Sequence, residues 1–437
     1  MTSKRGDLLG FRGLGVQQLS ALKSFQALEQ EQQNTIQAIA AVLPFRVNRY
    51  VIDQLIDWDN IETDPIFRMT FPQEEMLLPE DLKKMRDLIS RGATSTEKEE
   101  LALPIRAKMN PHPAGQTTHN LPVIEGEVEL GIQHKYDETV LFFPAAGQTC
   151  HTYCSYCFRW AQFVKTESIK LVAKNTDRLI KYLEKHPEIT DVLITGGDPL
   201  TMKTPKLQAV IEPLLAVPTV KSIRIGTKSL TWWPARFVTD PDADNLLRLF
   251  ERVVESGRHL ALMAHFTHPR ELSTSLVGQA VRRIQNTGAL IRAQAPILRG
   301  VNDEASTWRE LWRTEVQKGI VPYYMFVARD TGPKGFFEVP LAKAFAVFRE
   351  AYQSVSGLAR TVRGPSMSAM PGKVSISDIL EIDSKPYFLA TFLQARNPKW
   401  AGRSFLAEFD QHATWLSDLK PAFGYDRFFF EETPQIV

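Results

Sequence analysis

The chain has 437 residues, of which 43% are hydrophobic and 23% charged, an ordinary globular composition. Lys plus Arg number 52 and Asp plus Glu 50, and the net charge of +2 excludes the basic footprint of a dedicated nucleic-acid binder. No apolar run approaches the ~18 residues of a membrane span, the opening MTSKRGDLLGFRGLG has no long apolar signal region, and three cysteines are too few for a disulfide framework. The expected compartment is the reducing cytoplasm.

Residues 1–125 read as a mostly helical region. VQQLSALKSFQALEQEQQNTIQAIAAVL has apolar residues at helical spacing, and PEDLKKMRDLISRG has a Pro-acidic start and a Gly stop. The loop-like MNPHPAGQTTHNLPV precedes a boundary near 125. Over 126–360 short apolar runs alternate with amphipathic helices. The candidate strands are Val140–Phe143, Asp191–Ile194, Ser222–Ile225, Ala261–Phe266, Leu290–Pro296 and Val321–Val327. The helices between them include SIKLVAKNTDRLIKYLEKH, DADNLLRLFERVVESG, PRELSTSLVGQAVRRIQNTG and EASTWRELWRTEVQKG. Such alternation predicts an α/β fold of parallel strands with right-handed crossovers. Periodicity leaves two forms open, an open doubly wound sheet or an incomplete barrel, and either puts ligands at the carboxyl ends of the strands. After 360 the alternation stops. The segment 361–437, with PYFLATFLQARNPKW and the aromatic GYDRFFFEET, reads as a C-terminal cap.

All three cysteines fall in GQTCHTYCSYCFRW, as Cys150, Cys154 and Cys157 in C-x3-C-x2-C spacing just after the first strand. Soft thiolates select zinc or iron–sulfur clusters. A structural zinc site wants four ligands, so His151 would have to complete one. A cluster on three thiolates keeps one iron free for a ligand. Core cysteines unrelated to one another would rarely gather this way.

Together with GIQHKYDETVLFF, Phe158–Arg159, VLITGGDPL, IRIGTKS, HFTHPREL, ILRGVND, VPYYMF and GPSMSAMPGKV, this run resembles the radical S-adenosylmethionine enzymes, and among them the lysine 2,3-aminomutase family. NPHP and TDPIF resemble family elements more weakly. The resemblance implies a partial (β/α)6 TIM-like barrel with a helical N-terminal region and a C-terminal extension. It implies a [4Fe-4S] cluster on the three cysteines, S-adenosylmethionine and pyridoxal 5'-phosphate. The implied reaction is an isomerisation that moves an amino group from C2 to C3 of an amino acid. Implied partners are the amino acid substrate, an electron donor such as flavodoxin or ferredoxin, and further copies of the chain; no zinc is implied.

By the same resemblance Thr195 and the Gly196–Gly197–Asp198 turn, with His268 and Gln294 at or past strand ends, contact S-adenosylmethionine. Lys135 and Tyr136 hold the pyridoxal phosphate group, and Lys373 holds the cofactor covalently. Arg159 grips the substrate carboxylate, as a guanidinium can with two parallel hydrogen bonds. Without the resemblance, the Gly-Gly turn is also a plain strand–helix turn and Lys373 after Pro-Gly a solvated turn residue.

The chain departs from the family at three places. Lysine-specific members hold the ε-ammonium with two aspartates; here those positions read as Arg329, with Asp330 beside it, and Met370. A cationic Arg329 repels an ammonium and suits a side-chain carboxylate, so glutamate or aspartate is the expected substrate. A one-residue shift would restore Asp330 and with it lysine or another amine. The segment before Lys373 is shorter than the family's glycine run, and a second phosphate-binding arginine is Thr139. Two other readings stand beside this one: a radical reaction without pyridoxal phosphate if Lys373 does not reach, and a non-catalytic metal-binding scaffold.

Overall fold

The computed structural model describes residues 13–164 and 170–431. Its centre is an 11-stranded sheet. The strands are β1 (Ile132–Tyr136), β2 (Thr139–Phe142), β3 (Asp191–Ile194), β4 (Ser222–Thr227), β5 (His259–His265), β6 (Leu290–Ile297), β7 (Val321–Val327), β8 (Arg363–Ser368), β9 (Gly372–Ile382), β10 (Lys385–Ala395) and β11 (Ser404–Glu408). Strands β2 to β8 are parallel and lie in chain order. β1 pairs antiparallel at one edge, and β9 to β11 extend the other edge antiparallel. A doubly wound sheet reverses its strand order at a switch point. This sheet has no reversal.

The helices before the sheet include α1 (Gln30–Val42), α2 (Pro65–Thr70), α3 (Pro79–Ser90) and α4 (Ser95–Lys108). Six more carry the crossovers: α5 (Asp177–Lys185), α6 (Thr204–Leu215), α7 (Ala243–Glu255), α8 (Ser275–Asn286), α9 (Ala305–Gln317) and α10 (Leu341–Gln353). In α7 the buried Leu246, Leu249, Phe250 and Val253 form one helical stripe facing the sheet. The strands alternate to match. Val192, Ile194, Ile223 and Ile225 are fully buried in the core shared with the helices. The residues of opposite parity, among them Asp191, Leu193, Arg224 and Gly226, stay part-exposed on the other face of the sheet. Among the described residues no helix is long and apolar enough to cross a membrane.

A second core joins α1 to α4 with Trp160, Trp232, Phe336 and Phe337, all of which follow carboxyl ends of sheet strands. A third joins β9 to β11 with Trp415 and Phe428. The aromatic tail belongs to it: Phe428 lies 5.2 Å from Phe405 and Phe430 lies 5.4 Å from Phe392, ring centre to ring centre. The tail is thus a packing arm on its own sheet as far as residue 431; the last two residues of GYDRFFFEET lie outside the described residues.

Several elements differ from expectation. The run 16–43 breaks into Val16–Leu19, Lys23–Gln26 and α1. SIKLVAKNTDRLIKYLEKH yields only α5. Its residues 168–169 lie outside the described residues, and Ala173 uses its backbone on the strand side, donating to Phe143 O at 2.8 Å and accepting from Ala145 N at 2.8 Å. PRELSTSLVGQAVRRIQNTG splits into a 3-10 turn, Pro269–Leu272, and α8, because the Thr274 side chain caps the Val277 amide. The alternation runs one strand further than 360, to the parallel β8, and the expected C-terminal cap consists of the three antiparallel strands β9 to β11 with the aromatic tail.

Glycine is required where β3 ends. A Cβ on Gly197 would lie 2.4–2.6 Å from the backbone of Thr149, the residue before Cys150. Backbone cannot yield as a side-chain tip does. Gly197→Ala is therefore expected to lose roughly 1–3 kcal/mol of stability and to retain less iron per chain after reconstitution. Denaturant titration and iron analysis check both.

Candidate active site

The cysteine loop is held from two sides. From the helical region, Arg46 O accepts from Tyr153 N and Met69 O from Ser155 N, each at 2.9 Å. Arg46 Nη1 donates to Thr149 Oγ1 at 2.6 Å and to Cys150 O at 3.0 Å. From the sheet, Gly197 N donates to Gly147 O at 3.0 Å and Asp198 N to Thr149 O at 2.7 Å. All three cysteines are free. Burial raises all three thiol pKa values, Cys157 to about 11, Cys154 to about 12 and Cys150 well above its usual range. Among the described residues no three His, Cys, Asp or Glu side chains converge closely enough to hold one metal ion. A cluster makes a different demand, since its irons take separate thiolates. Three thiols on one clamped loop fit that demand. His151 is engaged elsewhere: its ring nitrogens face Asn48 Nδ2 at 3.4 Å and Asp198 Oδ2 at 3.4 Å.

Asp198 is a buried junction. Its carboxylate accepts from Thr227 Oγ1 at 2.8 and 2.9 Å, Lys228 N at 2.9 Å, Ser229 Oγ at 3.0 Å and Leu200 N at 3.0 Å. These bonds and His151 hold the carboxyl below its usual range against the opposing effect of burial. The Gly196–Gly197 turn likewise spends its close approach on the cysteine loop. Thr195 follows β3, its hydroxyl 3.5 Å from where a Cβ on Gly226 would stand. His268 sits past β5, its Nδ1 accepting from Arg270 N at 3.2 Å. Gln294 lies inside β6 rather than past its end, in register with His265, and its Nε2 meets His265 Nε2 at 2.9 Å. Burial drops His265 to about 3, so its ring is neutral.

Lys373 opens β9. It can start there because Gly372 has no side chain: a Cβ would stand 2.3 Å from Gln394 O on β10. Lys373 Nζ donates to Gln394 Oε1 at 3.1 Å and lies 4.1 Å from the Tyr324 ring centre. Burial, then Arg224 and Arg363, lower its amine to about 7. The short segment before it does not keep it from the sheet interior. Lys135 of β1 donates to Ala369 O across the open edge. Its amine is held well below the usual range by burial, then by Arg396, Arg329 and Lys373. Tyr136 beside it is pushed up by burial.

Two guanidiniums complete this group. Arg159 is 8% exposed, and burial lowers it to about 10. Arg329 is also lowered by burial, with Asp330 opposing. Both face one ring: Phe158 lies 5.1 Å from Arg159 Cζ and 5.4 Å from Arg329 Cζ. Arg159 Nη1 and Arg329 Nε are buried without a hydrogen-bond partner. Asp330 Oδ1 stands 3.9 Å from Arg329 Nε, and Asp191 pairs with Arg224 at 2.8 Å. Lys135, Lys373, Arg159, Arg329 and Arg396 thus far outnumber the carboxylates found against them. An unpaired buried ion costs several kcal/mol, so the chamber is built for anionic occupants, as a phosphate and substrate carboxylates would be. A neutral-leaning amine within such a cationic chamber fits a carbonyl cofactor bearing a phosphate.

The structure thus brings Lys135, Tyr136, Arg159, Arg329, Asp330 and Lys373 into one chamber and sets the three cysteines on the loop beside it. Thr139 and Met370 bring no charge to the chamber, and Met370 is 41% exposed. Sequence reading missed Arg224, Arg363, Arg396, Tyr324, Gln394 and His265. The inward parity of Arg224 was available from the alternation of IRIGTKS. Arg396 and Gln394 had no signal, because they arrive on an antiparallel strand.

Residues 139–232 match the 4Fe-4S single cluster domain family. A provisionally named L-lysine 2,3-aminomutase of Aquifex aeolicus is 32% identical over 91% of this chain and 93% of its own length. The L-lysine 2,3-aminomutase of Escherichia coli is 30% identical over 54% of this chain and 66% of its own, and that of Fusobacterium nucleatum 28% over 52% and 51%. A structure of Streptococcus suis SuiB bound to precursor peptide SuiA is similar only at a TM-score of 0.35, with 13% identity over 70% of this chain and 64% of that one, too loosely to bear on the fold. With the iron–sulfur domain spanning the cysteine loop and a relative matching nearly end to end, the chain belongs to the lysine 2,3-aminomutase family of radical S-adenosylmethionine isomerases.

Proposed function

We propose that the protein is a pyridoxal-phosphate-dependent 2,3-aminomutase whose substrate is an acidic amino acid, glutamate or aspartate. The observation that carries the substrate is the pair of buried guanidiniums, Arg159 and Arg329, sharing the Phe158 ring with an unpartnered donor on each. One carboxylate on each guanidinium would satisfy both donors and relieve their mutual repulsion. Arg159 takes the α-carboxylate and Arg329 the side-chain carboxylate. A lysine-type substrate is the second reading, favoured by the unpartnered Asp330 Oδ1; against it stands the excess of positive charge around that oxygen.

When bound, the cluster and S-adenosylmethionine supply a radical that removes hydrogen from C3, and pyridoxal phosphate supplies the π-system across which nitrogen shifts. Cys150, Cys154 and Cys157 hold the cluster on the clamped loop. Thr195, His268 and Gln294 line the approach from the loop, with the Gly196–Gly197–Asp198 turn fixing the loop itself. Lys135, Tyr136 and Arg396 receive the phosphate, and Lys373 presents an amine of which about half is neutral near pH 7. The sheet is read as a partial barrel, bridged at its open edge by Lys135 to Ala369. The chain is read as a helical region to 125, a barrel to 360 and a C-terminal segment, with shared cores at both boundaries: Trp160, Trp232 and Phe336 pack with the helical region, and Leu341 and Phe345 with the C-terminal strands. A one-electron donor such as flavodoxin or ferredoxin and a cytoplasmic site suit an oxygen-sensitive cluster.

Anaerobic reconstitution followed by separate incubation with glutamate, aspartate, lysine and arginine, with mass spectrometry for each β-isomer, tests the substrate. Conversion of an acidic substrate is expected, and conversion of lysine or arginine alone refutes the reading. Arg329→Met is expected to lower kcat/KM for the acidic substrate by roughly 30-fold or more, the low end for losing one partner of a buried charge pair.

Covalent capture of pyridoxal phosphate is expected to need Lys373 and to rise through about pH 7, because the amine must lose its proton to attack; an ordinary lysine would respond only near pH 10.4. Visible absorbance of the lysine-bound cofactor measures it in wild type and Lys373→Ala. Absorbance unchanged in the variant would leave a radical reaction without this lysine.

A further inference from the structure

Arg329 and Asp330 are adjacent and opposite in charge, so whichever faces the chamber sets which substrates enter. The N-terminal region fastens one of them, Asp330. Asn110, in the NPHP loop after α4, sits at φ +47, a left-handed conformation that asparagine tolerates. Its Nδ2 donates to Asp330 O at 2.7 Å and to Asp330 Oδ2 at 3.2 Å. The next residues are fastened to the same strap. Thr331 Oγ1 donates toward Asn110 O at 2.5 Å and Met109 O at 3.2 Å, and Gly332 N donates to Met109 O at 2.9 Å. Trp160 Nε1, buried, donates to Thr331 Oγ1 at 2.9 Å. The strap therefore occupies the Asp330 backbone carbonyl and one of its carboxylate oxygens. Arg329 has no tie to the strap: its guanidinium stands between the Phe158 and Trp415 rings, and its Nε makes no hydrogen bond and faces Asp330 Oδ1 only at 3.9 Å.

We propose that Asn110 is a specificity-determining positioning residue: by tying Asp330 to the N-terminal strap it leaves Arg329 as the charge presented to the substrate side chain. This rests on the acidic-substrate reading above and adds the residue that enforces it. Asn110 touches no reacting atom. It acts through Asp330: the tie holds that carboxylate at 3.9 Å from Arg329 Nε, and its removal lets the carboxylate close onto Arg329 and compete with the substrate carboxylate.

The test compares glutamate with glutamine, which has the same shape without the charge. Asn110→Gly keeps the positive φ and removes only the amide; Thr331→Val removes the hydroxyl at constant shape. In Asn110→Gly the KM for glutamate is expected to rise so that the glutamate-over-glutamine preference falls about tenfold, the range for a hydrogen bond to a charged group, with kcat for glutamate little changed. Thr331→Val is expected to move the preference the same way. An equal loss for both amino acids, or a lower kcat at constant KM, would mark the strap as merely structural and overturn the proposal. An unchanged preference in Asn110→Gly, with wild type still converting glutamate, would overturn it and leave the acidic-substrate reading intact. Wild type converting lysine and not glutamate would overturn both.

Discussion

A carboxylate that never meets solvent organises the end of the sheet where the chemistry belongs. Asp198 is 3% exposed and accepts hydrogen bonds from Thr227, Lys228, Ser229 and Leu200 while facing His151. One side chain thereby joins the ends of β3 and β4 to the loop that carries the cysteines. A buried charge survives only when its acceptor sites are satisfied, so these three segments must arrive together. With the Gly197 contact on Thr149, this makes the cysteine loop a rigid part of the sheet. The helical region then bonds the loop's other side through Arg46, Asn48 and Met69. Preorganisation of this kind is what a cluster site requires, since its ligands come from a chain segment that would otherwise be free to move.

The chamber next to the loop works by the opposite principle. Its positive charges find hydrogen bonds but few carboxylates. Lys135, Arg159, Arg329 and Lys373 are all shifted in the direction that disfavours their charged forms, with burial the largest cause in each. A folded chain that holds such a cluster gives up stability, and bound anions recover it. Stability and binding are therefore divided between two neighbouring places: a saturated carboxylate under the loop, and unsaturated cations in the chamber. The aromatic rings of Phe143, Phe158 and Tyr324 soften the arrangement by offering their faces to Arg159, Arg329 and Lys373.

Legibility in the sequence followed the range of the contacts. The cysteine loop, the Gly-Gly-Asp turn and the strand–helix alternation are short-range patterns, and most of the expected strands and helices stand where periodicity put them. The long helix expected over 168–186 shrank because Ala173 gives its backbone to the strand side, a non-local pairing that amphipathic spacing cannot report. The antiparallel strands beyond 360 escaped notice because no helix separates them, and with them went Gln394 and Arg396.

By itself the sequence determined the class of fold, the three-thiol site with its spacing, and, through its resemblance to a family, the chemistry. Those rest on local spacing and ordered blocks, which a linear chain displays directly. Tertiary structure decided the rest. Strand order showed a sheet without the reversal of a doubly wound fold. The hairpin after β8 carried Lys373 to Tyr324 and lowered its amine by burial. Asn110 reached Asp330 from 220 residues away. Burial and long-range charge have no linear signature, because both depend on which distant segments the fold brings to the same few ångströms.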